Sequence, residues 1–229
     1  MMIRVFTGFD PREAIGTPVF EHSVHTRASQ PVAITRLGAN VCGTDGTNAF
    51  SLARFHVPRL CGYEGWALWM DGADMLMLDD IAGLWALRDE KYAVQVVKHE
   101  YTPRMGRKYV GTEMEAGNKA YPRKNWSSVA LWNGAHPANR EIPPPTLTGA
   151  DCHRFAWLSD NLIGALPNEW NFLADENRQC HPTKAKVVHW TNGGPWFPYY
   201  GDAPFAALWR SEYRAALAHC DDAQERRAA

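Results

Sequence analysis

Two aspartates, Asp71 and Asp74, directly follow an apolar stretch at residues 66–70 and are separated only by Gly72 and Ala73. Two carboxylates at the end of a buried strand can bind one divalent cation. Mg²⁺ and Mn²⁺ suit such oxygen ligands and usually keep coordination positions free for the phosphate oxygens of a substrate. The spacing therefore predicts a metal and phosphate site, and a solvated Asp-Gly turn is the alternative.

A histidine ends a second apolar stretch near the other end of the chain. His189 follows two valines, and the pair Gly193 and Gly194 comes shortly after it. An imidazole nitrogen can complete a Mn²⁺ site, and the backbone N–H groups of glycines can bind a diphosphate. The pattern adds His189 to the candidate metal ligands, and a histidine that only packs in the core is the alternative.

The order of strands and helices determines where these residues can meet. The predicted strands cover residues 3–7, 31–37, 66–70, 92–97, 127–132 and 186–190, and the predicted helices cover residues 12–27, 48–60, 79–87 and 203–218. This alternation predicts an α/β fold with three layers, α/β/α, around a mainly parallel mixed sheet. In such sheets ligands bind outside the carboxyl ends of the strands. Asp10, the Asp71 turn and the segment after Val188 all fall at predicted strand ends.

The composition is that of one globular domain. The chain has 229 residues and a formal net charge of −1, with 45% apolar and 21% charged residues. This length favours a single domain over residues 1–220, followed by a tail at residues 221–229 that we expect to fray. The near-neutral charge excludes the broad basic surface of a nucleic-acid-binding protein.

The sequence predicts no transmembrane segment. Its two longest stretches without a charged residue, 125–139 and 187–201, both contain Asn, Gly and Pro and fall short of a membrane span. The five scattered cysteines form no C-x-x-C motif, which is typical of a reduced, cytoplasmic protein. The pattern leaves the oligomeric state open.

Taken in order, these features resemble glycosyltransferase family 8 over about residues 3–196. The shared order is a first strand ending at Asp10, an acidic pair, a strand preceded by Ser127 and Ser128, an acid-containing turn and a strand-ending histidine. The resemblance implies the Rossmann-like GT-A fold of nucleotide-diphospho-sugar transferases. It also implies a retaining, metal-dependent hexosyltransferase. Such an enzyme moves a sugar from a nucleotide-diphosphate sugar, here a UDP-sugar, to a hydroxyl of a carbohydrate or another acceptor.

The same resemblance implies roles for individual residues. It assigns a Mn²⁺ or Mg²⁺ ion to Asp71, Asp74 and His189. It assigns donor binding to residues near the strand ends, namely Phe6, Thr7, Gly8, Asp10, Arg54, Gly193 and Gly194. It maps the family's Asp-Gln pair, which flanks the reacting sugar, onto Asp160 and Asn161, so these two are the predicted catalytic residues. The alternative for Asp160 is a helix N-cap before residues 161–163.

Three residue patterns depart from the family. The acids are spaced D-x-x-D instead of D-x-D, Asn161 stands in place of Gln, and no Lys accompanies Pro195 and Trp196 to bind the diphosphate. The polar stretch at residues 103–124 contains six Lys and Arg residues. We expect either a solvated surface loop there or a lid that closes over the donor and supplies the missing cation.

Two other functions remain open from the sequence. A nucleotidyltransferase of similar fold would need a Gly-rich basic loop after the first strand, and residues 8–12 are a poor version of one. A non-catalytic nucleotide or sugar binder would fit the altered acidic spacing and the missing Lys.

Overall fold

A central six-stranded sheet organises the part of the chain that the computed structural model describes, residues 2–42, 48–141, 147–176 and 180–228. Its strands are β1 (Ile3–Gly8), β2 (Val32–Leu37), β3 (Trp66–Gly72), β5 (Val94–Val97), β8 (Val129–Asn133) and β9 (Ile163–Leu166). They lie in the order β2-β1-β3-β8-β5-β9. β8 runs antiparallel to both neighbours, and the other neighbouring pairs are parallel. The predicted mainly parallel mixed sheet is confirmed.

Both faces of this sheet are buried, because side chains alternate along each strand. On β3, Leu68 and Met70 belong to the apolar cluster on one face, while Ala67 and Trp69 belong to the cluster on the other. Trp69 is fully buried. A strand covered on both faces reads as an uninterrupted apolar run, which is why residues 66–70 were recognisable from sequence.

A second, three-stranded sheet lies beside the carboxyl edge of the first. It contains β4 (Met75–Met77), β10 (Phe172–Leu173) and β11 (Val187–His189), in the order β10-β11-β4. β11 pairs antiparallel with β4, and His189 lies opposite Met75. The backbone N–H of Trp190 donates to the carbonyl oxygen of Asp74 at 2.9 Å. This register places His189 next to the acidic turn.

Six helices and one hairpin complete the described fold. The helices are α1 (Gly16–Arg27), α2 (Ala39–Cys42), α3 (Val57–Leu60), α4 (Ile81–Trp85), α5 (Gly149–His153) and α6 (Ala206–Ala228). The hairpin strands are β6 (Arg107–Lys108) and β7 (Ala116–Gly117). α1 packs against α6, where Arg27 and His22 both contact the buried Glu212. No helix in these described ranges is long and apolar enough to cross a membrane.

Two predicted helices differ from the observed ones. The helix predicted over residues 12–27 begins only at Gly16, because a 3-10 turn capped by the Asp10 side chain occupies Pro11–Glu13. The helix predicted over residues 48–60 is wrong, since only α3 is α-helical there. A 3-10 turn occupies Ala53–His56, and α3 begins at Val57, with Pro58 in its first turn, where the missing N–H of proline is tolerated. At the other end, α6 includes most of the tail for which we expected fraying.

Gly72 is the residue at which the chain leaves the central sheet. Its φ is +93°, a left-handed conformation that favours glycine, and a Cβ built on it would overlap with the Thr7 hydroxyl oxygen. We expect Gly72→Ala to lower the free energy of unfolding by roughly 2 kcal/mol or more, from the strained φ and the steric overlap together. Urea denaturation followed by circular dichroism measures this loss.

Gly106→Ala is the matched control, because a Cβ at Gly106 has no neighbour within 4 Å. Its unfolding free energy should stay within about 0.5 kcal/mol of the wild type. Equal stability of the two variants would show that the Gly72 turn tolerates a side chain.

Candidate functional site

Three side chains that could bind a metal ion meet at the carboxyl edge of the central sheet. Asp71 lies at the end of β3, Asp74 lies in the link to β4, and His189 ends β11. A ligand atom from each lies within 4.8 Å of the other two, and all three residues are buried. The structure thus brings together the three residues that the sequence predicted as one site. We call them the acidic triad.

The His189 ring is oriented by a chain of hydrogen bonds. Its Nδ1 lies 2.9 Å from Oδ1 of Asn171, whose amide nitrogen donates to Ser128 Oγ at 2.8 Å. Ser128 donates its own proton to the carbonyl oxygen of Asn125 at 2.7 Å. The Ser128 oxygen must therefore accept from the amide, so Asn171 presents its oxygen to His189 and Nδ1 carries the hydrogen. Nε2 then faces Asp74, 3.2 Å from Oδ2.

The buried charges of the triad affect one another. Burial raises the pKa of Asp71, and the Arg54 guanidinium offsets only part of that rise. Burial lowers the pKa of His189, but the charge and hydrogen bond of Asp74 raise it by more. Oδ1 of Asp74 is buried and has no hydrogen-bond partner among the described residues. A buried, unpartnered carboxylate oxygen beside a second carboxylate and an imidazole nitrogen is a ligand set that fits Mn²⁺ or Mg²⁺.

Arg54 connects the triad to the next wall of the site. Its guanidinium lies 3.1 Å from Asp71 Oδ1 and donates to Ser127 Oγ at 3.1 Å. It also lies 5.5 Å from the centre of the Trp69 ring, and the Trp69 indole N–H donates to Asp71. Ser127 Oγ in turn lies 3.2 Å from Nδ1 of His153. Arg54, predicted as a donor contact, therefore lies inside the site.

The acidic triad, Arg54, Ser127 and His153 line one cavity of about 570 Å³, a size suited to a small-molecule ligand. Its described lining comes from parts of residues 48–54, 108–127 and 149–154, together with the triad and Thr191. The carboxylates in that described lining are those of Asp71 and Asp74 alone. The cavity is therefore a polar pocket with the triad at one wall.

The predicted donor-binding residues of the first strand lie behind this cavity and do not line it; they are Phe6, Thr7, Gly8 and Asp10. The Asp10 carboxylate accepts hydrogen bonds from Arg12 and from the backbone N–H of Ala49. Burial alone raises the pKa of Asp10, but these hydrogen bonds lower it below its usual value. A Cβ on Gly8 would overlap with the Phe50 ring. Gly8 and Asp10 thus contact residues 48–51, and two of these, Asn48 and Ser51, line the cavity.

The two glycines after β11 also lie outside the described lining. Gly193 has a φ of +146° and packs against the ring of Tyr200, while Gly194 packs against the ring of Trp196. The Gly193 N–H donates to the carbonyl oxygen of Trp190 at 3.2 Å. That amide is committed to a turn, so its position gives no support to diphosphate binding by Gly193.

The predicted catalytic pair, Asp160 and Asn161, lies on the surface. The Asp160 side chain is 84% exposed and pairs with Arg123 at 2.5 Å. Neither residue lines the cavity. Among residues 147–166, the part of the chain that lines it is α5 and the residue after it, including His153 and Arg154. These positions do not support the predicted catalytic role. Sequence reasoning missed His153 and Arg154, because no motif marks this short helix.

Glu13 is a buried acid beside the triad. Both of its carboxylate oxygens are buried without a described hydrogen-bond partner, and the residue is 1% exposed. Burial raises the pKa of Glu13 well above its ordinary value, and the charges of Asp74 and Asp10 raise it further. The protonated form is thus the favoured one in the folded, metal-free protein.

Comparisons with known proteins identify one close relative in sequence. Protein CDI of Arabidopsis thaliana is 43% identical over 225 residues, which cover 91% of this chain and 85% of that protein. No family model matches the sequence.

Several solved glycosyltransferases share the fold. WbbM, a bifunctional glycosyltransferase, superposes with a TM-score of 0.63 at 14% identity over 93% of this chain, and GlyE of Streptococcus pneumoniae TIGR4 with 0.61 at 13% identity over 98%. The chain spans 49% of WbbM and 64% of GlyE. The galactosyltransferase LgtC, solved with donor and acceptor sugar analogs, gives 0.58 at 15% identity over 93% of this chain and 96% of LgtC. At this identity the likeness shows the fold, and the predicted GT-A fold is confirmed.

The raised pKa of Glu13 predicts a pH-dependent stability. Above pH 4.5 an unfolded Glu loses its proton while folded Glu13 keeps it, so the wild type loses stability as pH rises toward the folded pKa. Gln cannot ionise. We expect the free energy of unfolding of Glu13→Gln, relative to wild type, to rise with pH by up to about 1.4 kcal/mol per unit in this window.

Urea denaturation between pH 4.5 and 8, with EDTA present to keep the triad metal-free, measures this difference. Glu100→Gln is the control, because Glu100 is exposed. A flat difference for Glu13→Gln would mean that folded Glu13 is ionised throughout.

Proposed function

We propose that this chain, which belongs to the same family as Protein CDI of Arabidopsis thaliana, is a metal-dependent glycosyltransferase. It would transfer a hexosyl group from a nucleotide-diphosphate sugar, a UDP-sugar in particular, to a hydroxyl group of an acceptor. The observation that carries the proposal is the acidic triad in the wall of the cavity, where a buried carboxylate oxygen of Asp74 has no hydrogen-bond partner among the described residues. The fold shared with WbbM, GlyE and LgtC supports the same function.

The triad would hold a divalent cation, and Mn²⁺ suits its mixed nitrogen and oxygen ligands. A cation bound there would act as a Lewis acid that neutralises the leaving diphosphate. The chain's own contribution is orientation. Asn171 fixes the ring of His189, and Arg54 and the Trp69 indole hold the carboxylate of Asp71. Such indirect contacts commonly set metal affinity.

The lining also constrains how the sugar leaves. Its described carboxylates both belong to the triad, so no separate carboxylate in that lining could form a covalent bond to the sugar. We therefore propose that the acceptor hydroxyl attacks the anomeric carbon on the face from which the nucleoside diphosphate leaves. The new C–O bond forms as the bond to the diphosphate oxygen breaks, and the hydroxyl proton passes to the leaving diphosphate. A retaining outcome follows from the resemblance to family 8.

Loss of one triad carboxylate should abolish metal-dependent nucleotide binding. We expect UDP with Mn²⁺ to raise the melting temperature of the wild type, because ligand that binds only the folded state stabilises it. Asp74→Asn should lose this shift while its circular dichroism spectrum stays unchanged. Asp89→Asn is the control, since Asp89 lies on the surface and pairs only with Lys91 among the described residues. An undiminished shift in Asp74→Asn would remove Asp74 from the site.

Turnover separates an enzyme from a binding protein. The wild type is incubated with a panel of UDP-, GDP- and ADP-sugars, with Mn²⁺ or with EDTA, and the release of nucleoside diphosphate is measured. We expect release from one class of donor, only with metal, and none from Asp74→Asn. A nucleotide that stabilises the protein without release from any donor would indicate a non-catalytic binder. The proposal is contradicted if no nucleotide stabilises the protein and no donor releases nucleoside diphosphate.

A further inference from the structure

Two lysines from the segment between β5 and β8 line the cavity that contains the acidic triad. Lys124 is 9% exposed, and Lys108 is half-buried at the end of β6. Neither has a carboxylate of the described residues within ion-pair distance; their nearest aromatic partners are Tyr121 and Tyr109, at 4.7 and 5.3 Å from the ammonium groups. The charges of Asp74, Glu13 and Asp71 act on Lys108, and that of Glu176 acts on Lys124, but they offset the cost of burial only in part. A bound anion would offset more of that cost.

We infer that Lys108 and Lys124 bind the diphosphate of the nucleotide-sugar donor. This inference rests on the proposed function. It assigns the diphosphate-binding role to two lysines, because the sequence directly after His189 contains no lysine that could fill it. Residues 194–196 lack a Lys, and Gly194 there packs against an aromatic ring outside the cavity lining.

The charges around the cavity fit a ligand with more than one negative charge. The described lining contains five Lys and Arg side chains and two carboxylates, and Arg54 is already paired with Asp71. Burial, with the repulsion of Lys108, lowers the pKa of Lys124 to about 8, and burial also lowers the pKa of Lys108. An anion between the two ammonium groups would compensate for both effects.

The backbone holds both lysines in place. The Tyr109 N–H donates to the carbonyl oxygen of Asn192 at 2.6 Å, and the Asn118 amide donates to the Asn192 side chain at 2.9 Å. Arg123 and Asn125, on either side of Lys124, both have a φ of 59°, which is uncommon for residues other than glycine. The segment at residues 103–124 is thus attached to the loop after His189, although many of its residues are exposed.

The contacts of Arg123 and Asn125 extend this attachment. Arg123 donates to the carbonyl oxygens of Arg154 and Phe155 at 2.6 and 3.0 Å, and Asn125 donates to the hydroxyl of Tyr101 at 2.6 Å. The ion pair of Arg123 with Asp160 belongs to the same anchor. Lys124 therefore lies between two residues whose side chains are both held by hydrogen bonds to other parts of the chain.

The test compares Lys108→Gln and Lys124→Gln with the wild type. Binding of UDP, UMP and inorganic diphosphate is measured by isothermal titration calorimetry with Mn²⁺ present. We expect each variant to bind UDP and inorganic diphosphate roughly ten- to hundredfold more weakly, the effect of one lost charge-assisted contact. UMP binding should change less, and Lys124→Arg, which keeps the charge, should recover part of the loss.

Lys98→Gln is the matched control. Its ammonium group also lies over an aromatic ring, Trp126 at 5.4 Å, but Lys98 does not line the cavity. It should bind all three probes like the wild type. Melting temperatures without ligand, together with the affinity for Mn²⁺ alone, verify that the variants are folded and keep the triad intact.

The outcomes separate this inference from the function on which it rests. Wild-type affinity of both Gln variants for UDP and inorganic diphosphate would overturn the role of the lysines and leave the proposed function standing. Failure of the wild type to bind either probe with Mn²⁺ would overturn both.

Discussion

The antiparallel pairing of β11 with β4 is the contact on which the site depends. The chain leaves the central sheet at Gly72, turns through Ala73 and Asp74, and enters a different sheet as β4. Only the register that sets His189 opposite Met75 brings an imidazole next to Asp74. A shift by one residue would turn His189 to the other face of the strand and separate the triad. Backbone hydrogen bonds between β11 and β4 therefore determine how close the three side chains of the triad lie to one another.

The buried titratable groups of the triad have charged or hydrogen-bonding partners around them. Arg54 and the indole of Trp69 hold Asp71, the Asn171 amide holds His189, and Glu13 contributes a buried acid that favours its neutral form. A buried charge is tolerated only with such partners. The part of this balance of charges that the described residues leave open lies toward the cavity. There, Asp74 has an oxygen without a described hydrogen-bond partner, and two lysines line the wall without a described ion pair.

Sequence reasoning succeeded where burial leaves a periodic signal. The apolar runs of β3 and β11 were visible, and the rule that ligands bind at the carboxyl ends of parallel strands joined Asp71 and Asp74 to His189. It could not reach features that tertiary contacts determine. The two-residue β10 and the three-residue β4 are too short to show a period, and the surface position of Asp160 depends on a turn held by Arg123. Lys108 and Lys124 were visible only as members of a cationic stretch, because nothing local indicates which cations the fold will bury.

Tyr109, Arg123 and Asn125 all adopt left-handed backbone conformations next to the two cavity lysines. Each such residue costs on the order of 1 kcal/mol relative to an unstrained one. This segment is therefore a place where the fold has accepted lower stability in return for a defined side-chain position. Engineering for thermostability would target these three positions first. Substitutions that remove the backbone strain there would raise the stability of the fold and lower the affinity for the ligand, a trade-off between stability and function.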